Sequence, residues 1–190
     1  MFETLLARVA QALDKAAIPY MVIGGQAVQL YGEPRMTRDI DLTLGMGVEG
    51  LPRVLALCLE TGLKVLVSDE EKFVQETMVL PALEEKSGIR VDFVFSFSEY
   101  EQLALERART ETLKGHPVRF ASLEDLVVHK VVAGRGRDLE DVRTILVKNP
   151  GFDREYIEQW LVELDKALST GHLGVFQRLL RKIEQASSAS

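Results

Sequence analysis

The sequence predicts a mixed α/β (α+β) fold, with one sheet and flanking helices, followed by a C-terminal helical region. Up to about residue 120, short apolar runs typical of strands alternate with segments whose apolar residues recur at helical spacing. After Ala121 the strand signals vanish, and helical spacing continues to about residue 186. The 190 residues are 46% hydrophobic, enough to bury a core. We therefore expect a core over residues 1–120 and a helical region packed on it over residues 121–190.

The elements of the first part follow from apolar periodicity and from glycine and proline breakers. Gly24-Gly25 ends one apolar run, and Gly62 ends a helix that has Pro52 in its first turn. The predicted helices are 3–16, 26–31, 51–61 and 98–107, and the predicted strands are 20–23, 40–44, 63–67, 73–80 and 89–95, with a candidate hairpin of 110–113 and 118–120.

The second part contains four predicted helix starts, each at a residue type that favours the N-cap position. These are Ser122, Asp138, Asp153, and Ser169 or Thr170. Along the last helix, Arg178, Arg181 and Lys182 interleave with an apolar stripe. This arrangement is typical of a solvated face, and it also suits a face that binds RNA.

The charge balance and the cysteine count exclude several classes of protein. Lys and Arg number 23 against 29 Asp and Glu, and the net charge of −6 argues against broad non-specific nucleic-acid binding. It leaves room for a local basic patch and suits a protein that binds divalent cations. A single cysteine, Cys58, excludes an internal disulfide and a multi-cysteine zinc site. No apolar run approaches the roughly 20 residues of a membrane span, and the start does not resemble a secretion signal. We expect a cytoplasmic protein without a membrane partner.

The residues that indicate chemistry lie between positions 24 and 42. Asp39 and Asp41 are two apart in a predicted strand, so their carboxylates project from the same face. Hard divalent ions such as Mg²⁺ bind to paired carboxylates together with phosphate oxygens. Upstream, Gly24-Gly25 places backbone N–H groups at a helix N-terminus, which is a suitable cradle for phosphate. Each feature alone has a simpler interpretation, since a Gly-Gly pair commonly forms a tight turn and Asp-x-Asp a solvated edge.

The run GGQAVQLYGEPRMTRDIDLTL resembles the signature of the nucleotidyltransferase superfamily that includes DNA polymerase beta. Within it, the sequence is most similar to the AbiEii-type and minimal nucleotidyltransferases, the former known mainly as toxins of toxin–antitoxin pairs. The resemblance implies a nucleotidyltransferase-type mixed sheet and a third aspartate on a later strand. Asp92, inside the apolar run Val91-Asp92-Phe93-Val94-Phe95, supplies it. The alternatives are an aspartate on an edge strand or one paired near Arg90.

The AbiEii-type pattern also has a lysine on a helix and a later basic-Asp-x-x-Asp motif. Lys130 lies on the apolar stripe of its predicted helix, where it either snorkels to the surface or reaches a buried anion. In the second case its charge would be matched only when substrate is bound. The later motif is Gly-Arg135-Gly-Arg137-Asp138-Leu-Glu-Asp141. Alternatively, Arg137 and Asp141 form an exposed helix pair.

The resemblance implies two-metal nucleotidyl transfer. Asp39 and Asp41 would bind two Mg²⁺ ions, for which Mn²⁺ is a substitute, and Asp92 would complete one of these sites and act as general base. The resemblance thus implies four catalytic residues, Asp39, Asp41, Asp92 and Lys130. The implied nucleotide-binding residues are Gly24, Gly25, Gln26, Arg35, Thr37, Arg38, Lys130, Arg137 and Asp138.

Several partners and acceptors follow from the resemblance. The donor is an NTP, and an antitoxin is a candidate protein partner. The acceptor is RNA such as tRNA for a toxin-type enzyme, or a small molecule or protein for an enzyme that resembles those inactivating antibiotics. A third hypothesis is a non-catalytic nucleotide-binding protein, against which the three aspartates argue.

Overall fold

The computed structural model describes residues 1–37, 39–96 and 98–188. The chain folds as two compact units. The first contains Met1–Ala27 and Met36–Ala121, and the second contains Val28–Arg35 and Ser122–Ser190. The sequence predicts a division after residue 120; the structure divides the chain after Ala121 and also groups the short segment Val28–Arg35 with the C-terminal helices.

The first unit is built on a mixed seven-stranded sheet, which confirms the predicted fold class. The sheet order is β3-β4-β5-β2-β1-β7-β6. Strands β2 and β5 run parallel in its centre, β1 is antiparallel to β2, and β4 is antiparallel to β5. The strands are β1 (Tyr20–Ile23), β2 (Asp39–Leu44), β3 (Lys64–Val65), β4 (Val79–Glu84), β5 (Ile89–Phe95), β6 (Arg109–Leu113) and β7 (His116–Phe120).

Helices flank the sheet of the first unit, and one of them corrects a prediction. The predicted strand 73–80 is wrong, because residues 70–77 are helical. The side chain of Asp69 accepts a hydrogen bond from the backbone N–H of Lys72, and two glutamates follow in the first turn, which favours a helix start. Met78 then adopts a left-handed conformation that ends the helix before β4. The helices are α1 (Phe2–Lys15), α2 (Gly24–Tyr31, whose second half belongs to the other unit), α3 (Leu51–Thr61), α4 (Glu70–Thr77) and α5 (Glu99–Glu106), with a 3₁₀ turn at Val48–Gly50.

The second unit is helical, as predicted. Ser122 and Asp153 cap helices with their side chains, which confirms both predicted starts. The next helix begins at Gly136, two residues before the predicted start at Asp138. The last helix begins at His172, where the carboxylate of Asp165 accepts hydrogen bonds from the backbone N–H groups of His172 and Leu173. These helices are α6 (Leu123–Ala133), α7 (Gly136–Lys148), α8 (Arg154–Leu168) and α9 (His172–Ser188).

Among the described residues, no helix combines the length and the apolar character that crossing a membrane requires.

Candidate active site

The first unit places two of the predicted aspartates side by side on neighbouring strands. In the parallel ladder of β2 and β5, Asp41 is in register with Asp92. Asp39 precedes Asp41 by two residues and is in register with Arg90. Residues paired across neighbouring strands project from the same side of a sheet, as do residues two apart along one strand. We call this side, with Asp39, Asp41, Asp92 and Arg90, the carboxylate face.

Gly24 brings the start of α2 directly against Asp41. Gly24 follows Ile23, which is in register with Asp41 in the antiparallel ladder of β1 and β2. Its φ of +64° lies in the left-handed region that favours glycine. A Cβ atom built on Gly24 would lie 1.9 Å from Oδ2 of Asp41, so no other residue fits here without moving that carboxylate. The helix N-terminus carries a partial positive charge, which stabilises a carboxylate placed beside it.

Asp92 is held in an electrostatically mixed environment. Its side chain is 16% exposed, and Arg90 Nε donates a hydrogen bond to its Oδ1 at 2.7 Å. Burial is the largest influence on the pKa of Asp92 and raises it. The Arg90 guanidinium lowers this pKa, whereas the negative charge of Asp39 raises it. The net result is a pKa above the ordinary aspartate value. Strand β5 lies between β4 and β2, so the alternative of an edge-strand aspartate is wrong, whereas the pairing with Arg90 is present.

The segment between the glycines and β2 is tied back to α2. Gln26 Nε2 donates a hydrogen bond to Thr37 Oγ1, which links two residues that the sequence assigned to nucleotide binding. Gly25 is buried, whereas Met36 beside Thr37 is 83% exposed. Arg38, another predicted nucleotide ligand, lies outside the described residues.

The carboxylate face fits a magnesium ion that is shared with a substrate. Among the residues that the structure describes, no group of three or more His, Cys, Asp or Glu side chains is arranged to hold a metal ion. Mg²⁺ is usually bound through one or two carboxylates, with water and substrate phosphates completing its shell. Asp41 and Asp92, in register on one face, supply such a pair. The donor set therefore suits an open site and not an all-protein cage.

The second unit gathers the other predicted charges into a buried cluster. Lys130 is 5% exposed, and its Nζ lies 2.9 Å from Oδ1 of Asp138 and 2.8 Å from Oδ2 of Asp141. Arg35 donates two hydrogen bonds to Asp141, from Nε at 2.9 Å and from Nη2 at 2.8 Å. Arg135 Nε donates to Asp138 Oδ2 at 2.6 Å. Three cations thus share two carboxylates.

The two carboxylates of this cluster are ionised more readily than usual. Burial acts to raise the pKa of Asp141, but hydrogen bonds from Arg35 and Lys130 outweigh it, so that pKa lies below its ordinary value. Burial likewise acts to raise the pKa of Asp138, and hydrogen bonds from Arg135 and Lys130 lower it. Both carboxylates are therefore ionised at neutral pH.

This cluster corrects two expectations. Lys130 lies on an inward stripe, as predicted, but its charge is already matched by two carboxylates before any substrate is considered. Asp141 is 5% exposed and pairs with Arg35 and Lys130, so the alternative of an exposed Arg137–Asp141 helix pair is wrong. Whether Lys130, Arg35, Arg137 and Asp138 bind nucleotide stays a prediction.

Sequence reasoning missed the pairing of Arg35 with Asp141 and gave the pairing of Asp92 with Arg90 only as an alternative. Arg35 and Asp141 are 106 positions apart, and no local pattern joins them. The sequence does contain a signal for the pairing of Arg90 with Asp92, because Arg90 precedes Asp92 by two residues in a strand and therefore lies on the same face.

Comparison with solved structures shows the same fold in several other proteins. The antibiotic-resistance factor ANT(2'')-Ia, in a solution structure, is 18% identical, with 99% of this chain and 97% of that chain covered at a TM-score of 0.56. An antigenic nucleotidyltransferase-like protein from Paracoccidioides brasiliensis is 17% identical, with 87% of each chain covered and a TM-score of 0.56. The lincosamide antibiotic adenylyltransferase LnuA, in its lincomycin-bound crystal structure, is 17% identical. The alignment covers 75% of this chain and 94% of that chain at a TM-score of 0.52. At these identities the likeness shows the fold.

No curated protein matches the chain in sequence. The model of one protein family does, over residues 5–185, and its description is "Nucleotidyl transferase AbiEii toxin, Type IV TA system". The match includes the glycines, the three aspartates and the Lys130 cluster, so the protein belongs to the AbiEii family of nucleotidyltransferases.

Proposed function

We propose that the protein transfers a nucleoside monophosphate from an NTP to an acceptor hydroxyl, with Mg²⁺ as cofactor. The observation that carries this proposal is the in-register pair of Asp41 and Asp92, with Gly24 packed against Asp41. In the reaction, the acceptor oxygen forms a bond to the α-phosphorus and the bond to the β-phosphate oxygen breaks. Pyrophosphate leaves, and the hydroxyl proton goes to a base on the protein.

The residues of the carboxylate face have separate tasks in this proposal. Asp39, Asp41 and Asp92 hold two Mg²⁺ ions, for which Mn²⁺ is a substitute. A metal bound by these carboxylates would supply Lewis-acid chemistry, lowering the pKa of the attacking hydroxyl and offsetting the charge of the leaving pyrophosphate. Asp92 accepts the proton as general base. The backbone of Gly24, Gly25 and Gln26 binds the phosphates at the N-terminus of α2.

The family resemblance adds Lys130 and Arg35 as candidate residues for binding the triphosphate. Lys130, Arg35 and Arg135 all form ion pairs with Asp138 or Asp141. Lys130, Asp138 and Asp141 match the lysine and the two aspartates of the AbiEii-type pattern, and their ion pairs fix the positions of both Lys130 and Arg35. Arg137 and Arg38 are further candidates for phosphate binding by the same resemblance.

We propose RNA as the acceptor, because one face of α9 carries uncompensated positive charge. Arg178, Arg181 and Lys182 are exposed and recur at i, i+3 and i+4, so they share one side of the helix. Like charges at this spacing repel each other. Within the described part of the chain, no ion pair involves any of the three. The neighbouring acidic residue Glu184 instead pairs with Arg154, whose Nη1 lies 3.9 Å from Oε1 of Glu184. An RNA backbone would offset this repulsion.

Labelling decides whether transfer occurs and to what. The protein is incubated with Mg²⁺, each α-labelled NTP in turn, and either total RNA or a small-molecule extract. Label in RNA supports the proposal, whereas label in a small molecule or a protein identifies a different acceptor. Absence of label with every donor contradicts the proposed activity. The Asp41→Asn variant serves as the inactive control.

The α9 face is tested by RNA binding at several salt concentrations. The triple variant Arg178→Gln, Arg181→Gln, Lys182→Gln should flatten the slope of log K against log salt by about 2, because each single-strand phosphate contact contributes about 0.7. The matched control neutralises three exposed cations that already have acidic partners, namely Lys15, Lys114 and Lys166. Equal slopes for both triple variants would remove α9 from RNA binding.

We further propose a toxin role with an antitoxin partner, which rests on the family description. Expression of the wild-type protein should arrest growth, and expression of Asp41→Asn should not. A gene neighbour whose co-expression relieves the arrest would identify the antitoxin.

A further inference from the structure

Arg90 lies among the three aspartates of the carboxylate face. It is in register with Asp39 on β2 and precedes Asp92 by two residues on β5, so its side chain shares their face. Its Nε donates a hydrogen bond to Oδ1 of Asp92 at 2.7 Å. A guanidinium is therefore bound to the carboxylate that the proposed reaction needs as metal ligand and base.

We propose that Arg90 is a positioning residue that competes with the metal ion for Asp92. This inference rests on the proposed metal site. An arginine N–H and a divalent cation both require electron pairs on the carboxylate oxygens, so occupation of Oδ1 by Arg90 weakens metal binding there. The same pairing offsets repulsion among three like charges on adjacent strands.

The exposures of the two side chains indicate which one moves when metal binds. The Arg90 side chain is 50% exposed, and that of Asp92 is 16% exposed. A long, half-exposed arginine can turn to solvent, where its charge is hydrated, whereas Asp92 is held in a central strand between β4 and β2. When a metal ion replaces Arg90 at the Asp92 carboxylate, the arginine side chain therefore moves and the sheet stays unchanged. Arg90 thus lowers the affinity of the carboxylate face for free metal.

The test measures Mn²⁺ affinity without nucleotide, from the electron paramagnetic resonance signal of the unbound ion. The Arg90→Gln variant should bind Mn²⁺ about three- to fivefold more tightly, the upper part of the range expected for removal of a partly exposed ion pair. Arg90→Lys keeps the charge and should stay close to wild type. The matched control is Arg109→Gln. Arg109 forms the same kind of i, i+2 strand pair, with its Nε 2.8 Å from Oε1 of Glu111, and it lies on β6, the edge strand farther from β5.

A double-mutant cycle separates competition at Asp92 from a general charge effect. In an Asp92→Asn background, Arg90→Gln should leave Mn²⁺ affinity unchanged, because the contested ligand is absent. Persistence of the full effect in that background would overturn the inference, as would an affinity of Arg90→Gln within about twofold of wild type. If neither wild type nor Arg90→Gln binds Mn²⁺, the proposed metal site fails and the inference fails with it. If wild type binds as tightly as Arg90→Gln, only the inference fails.

Discussion

Gly24 and Asp41 are packed so closely that a side chain on the glycine would overlap the carboxylate. A Cβ atom at this position would lie 1.9 Å from Oδ2 of Asp41, and φ of +64° disfavours any other residue. Replacement of Gly24 therefore has two separable costs, one for the backbone conformation and one for the displaced carboxylate.

Gly24→Ala should destabilise the protein and abolish nucleotidyl transfer, because Asp41 must leave its position. The control is Gly62→Ala, since Gly62 has a similar φ of +70° and no described atom lies within 4 Å of the place that its Cβ would take. That control should lose about 1–2 kcal/mol, the cost of the left-handed conformation alone, and keep its activity. The measurements are urea unfolding and labelled-NTP transfer. Equal stability losses with retained activity in both variants would contradict the packing argument.

Asp41→Asn and Asp92→Asn should each abolish transfer, and Asp92→Asn should leave stability unchanged or raised. Both carboxylates lie on one crowded face, and the raised pKa of Asp92 means that folding disfavours its charged form. Neutral asparagine of equal size removes that penalty. Thermal unfolding without metal and a transfer assay check the two outcomes. A large loss of stability would show that the carboxylates are structural, and an active Asp41→Asn enzyme would rule out the proposed metal chemistry.

The stability of the protein should fall as pH drops below the ordinary aspartate pKa of 3.8, because the pKa values of Asp138 and Asp141 lie below it. A lowered folded-state pKa means that the unfolded state binds protons first. The stabilisation is thus complete above pH 3.8 and is lost as pH falls through the folded-state values. Asp141→Asn should be less stable at pH 7 and lose less on acidification. Urea unfolding at pH 7 and pH 3 tests this, and an unchanged acid dependence in the variant would contradict it.

The features that could be predicted from the sequence are those encoded by neighbouring residues. Helix α3, with Pro52 in its first turn and Gly62 after its last residue, has the predicted bounds. Strand periodicity likewise predicts that Asp39 and Asp41 lie on the same face of β2. Helix α4 was missed because Phe73 and Val74 favour strands locally, while the capping contact from Asp69 decides in favour of a helix.

The partners of Lys130 could not be predicted, for a different reason. Its inward position follows from the apolar stripe of its helix, but the charges around it depend on tertiary structure. Arg35 reaches Asp141 across 106 positions of sequence, and Asp141 then accepts from Lys130 as well. A lysine expected to be matched only by a phosphate is thereby part of a preformed ion network.

Lys130→Met should therefore destabilise the protein, which reverses the expectation for an unmatched buried lysine. The change leaves Asp138 and Asp141, each about 5% exposed, with one cation fewer. Breaking a buried pair by removing one partner costs about 3–5 kcal/mol, and Arg35 and Arg135 remain to reduce the loss to about 2–4 kcal/mol. The exposed Lys166, paired with Glu163 on α8, is the control, and Lys166→Met should stay within about 0.5 kcal/mol of wild type.

A second change shows whether the loss comes from the unpaired carboxylates. In the double variant Lys130→Met, Asp138→Asn, one of the two carboxylates is neutral, so the double variant should be less destabilised than the sum of its single changes. Additive losses would instead mean that Lys130 stabilises the unit through the packing of its stem.

Triphosphate affinity, measured calorimetrically on the folded fraction, addresses function separately. A decrease of about 1.5–3 kcal/mol in binding free energy would place Lys130 at the phosphates, since that is the usual loss for a hydrogen bond to a charged group. Unchanged affinity would restrict Lys130 to the ion network and leave phosphate binding to the arginines and the start of α2.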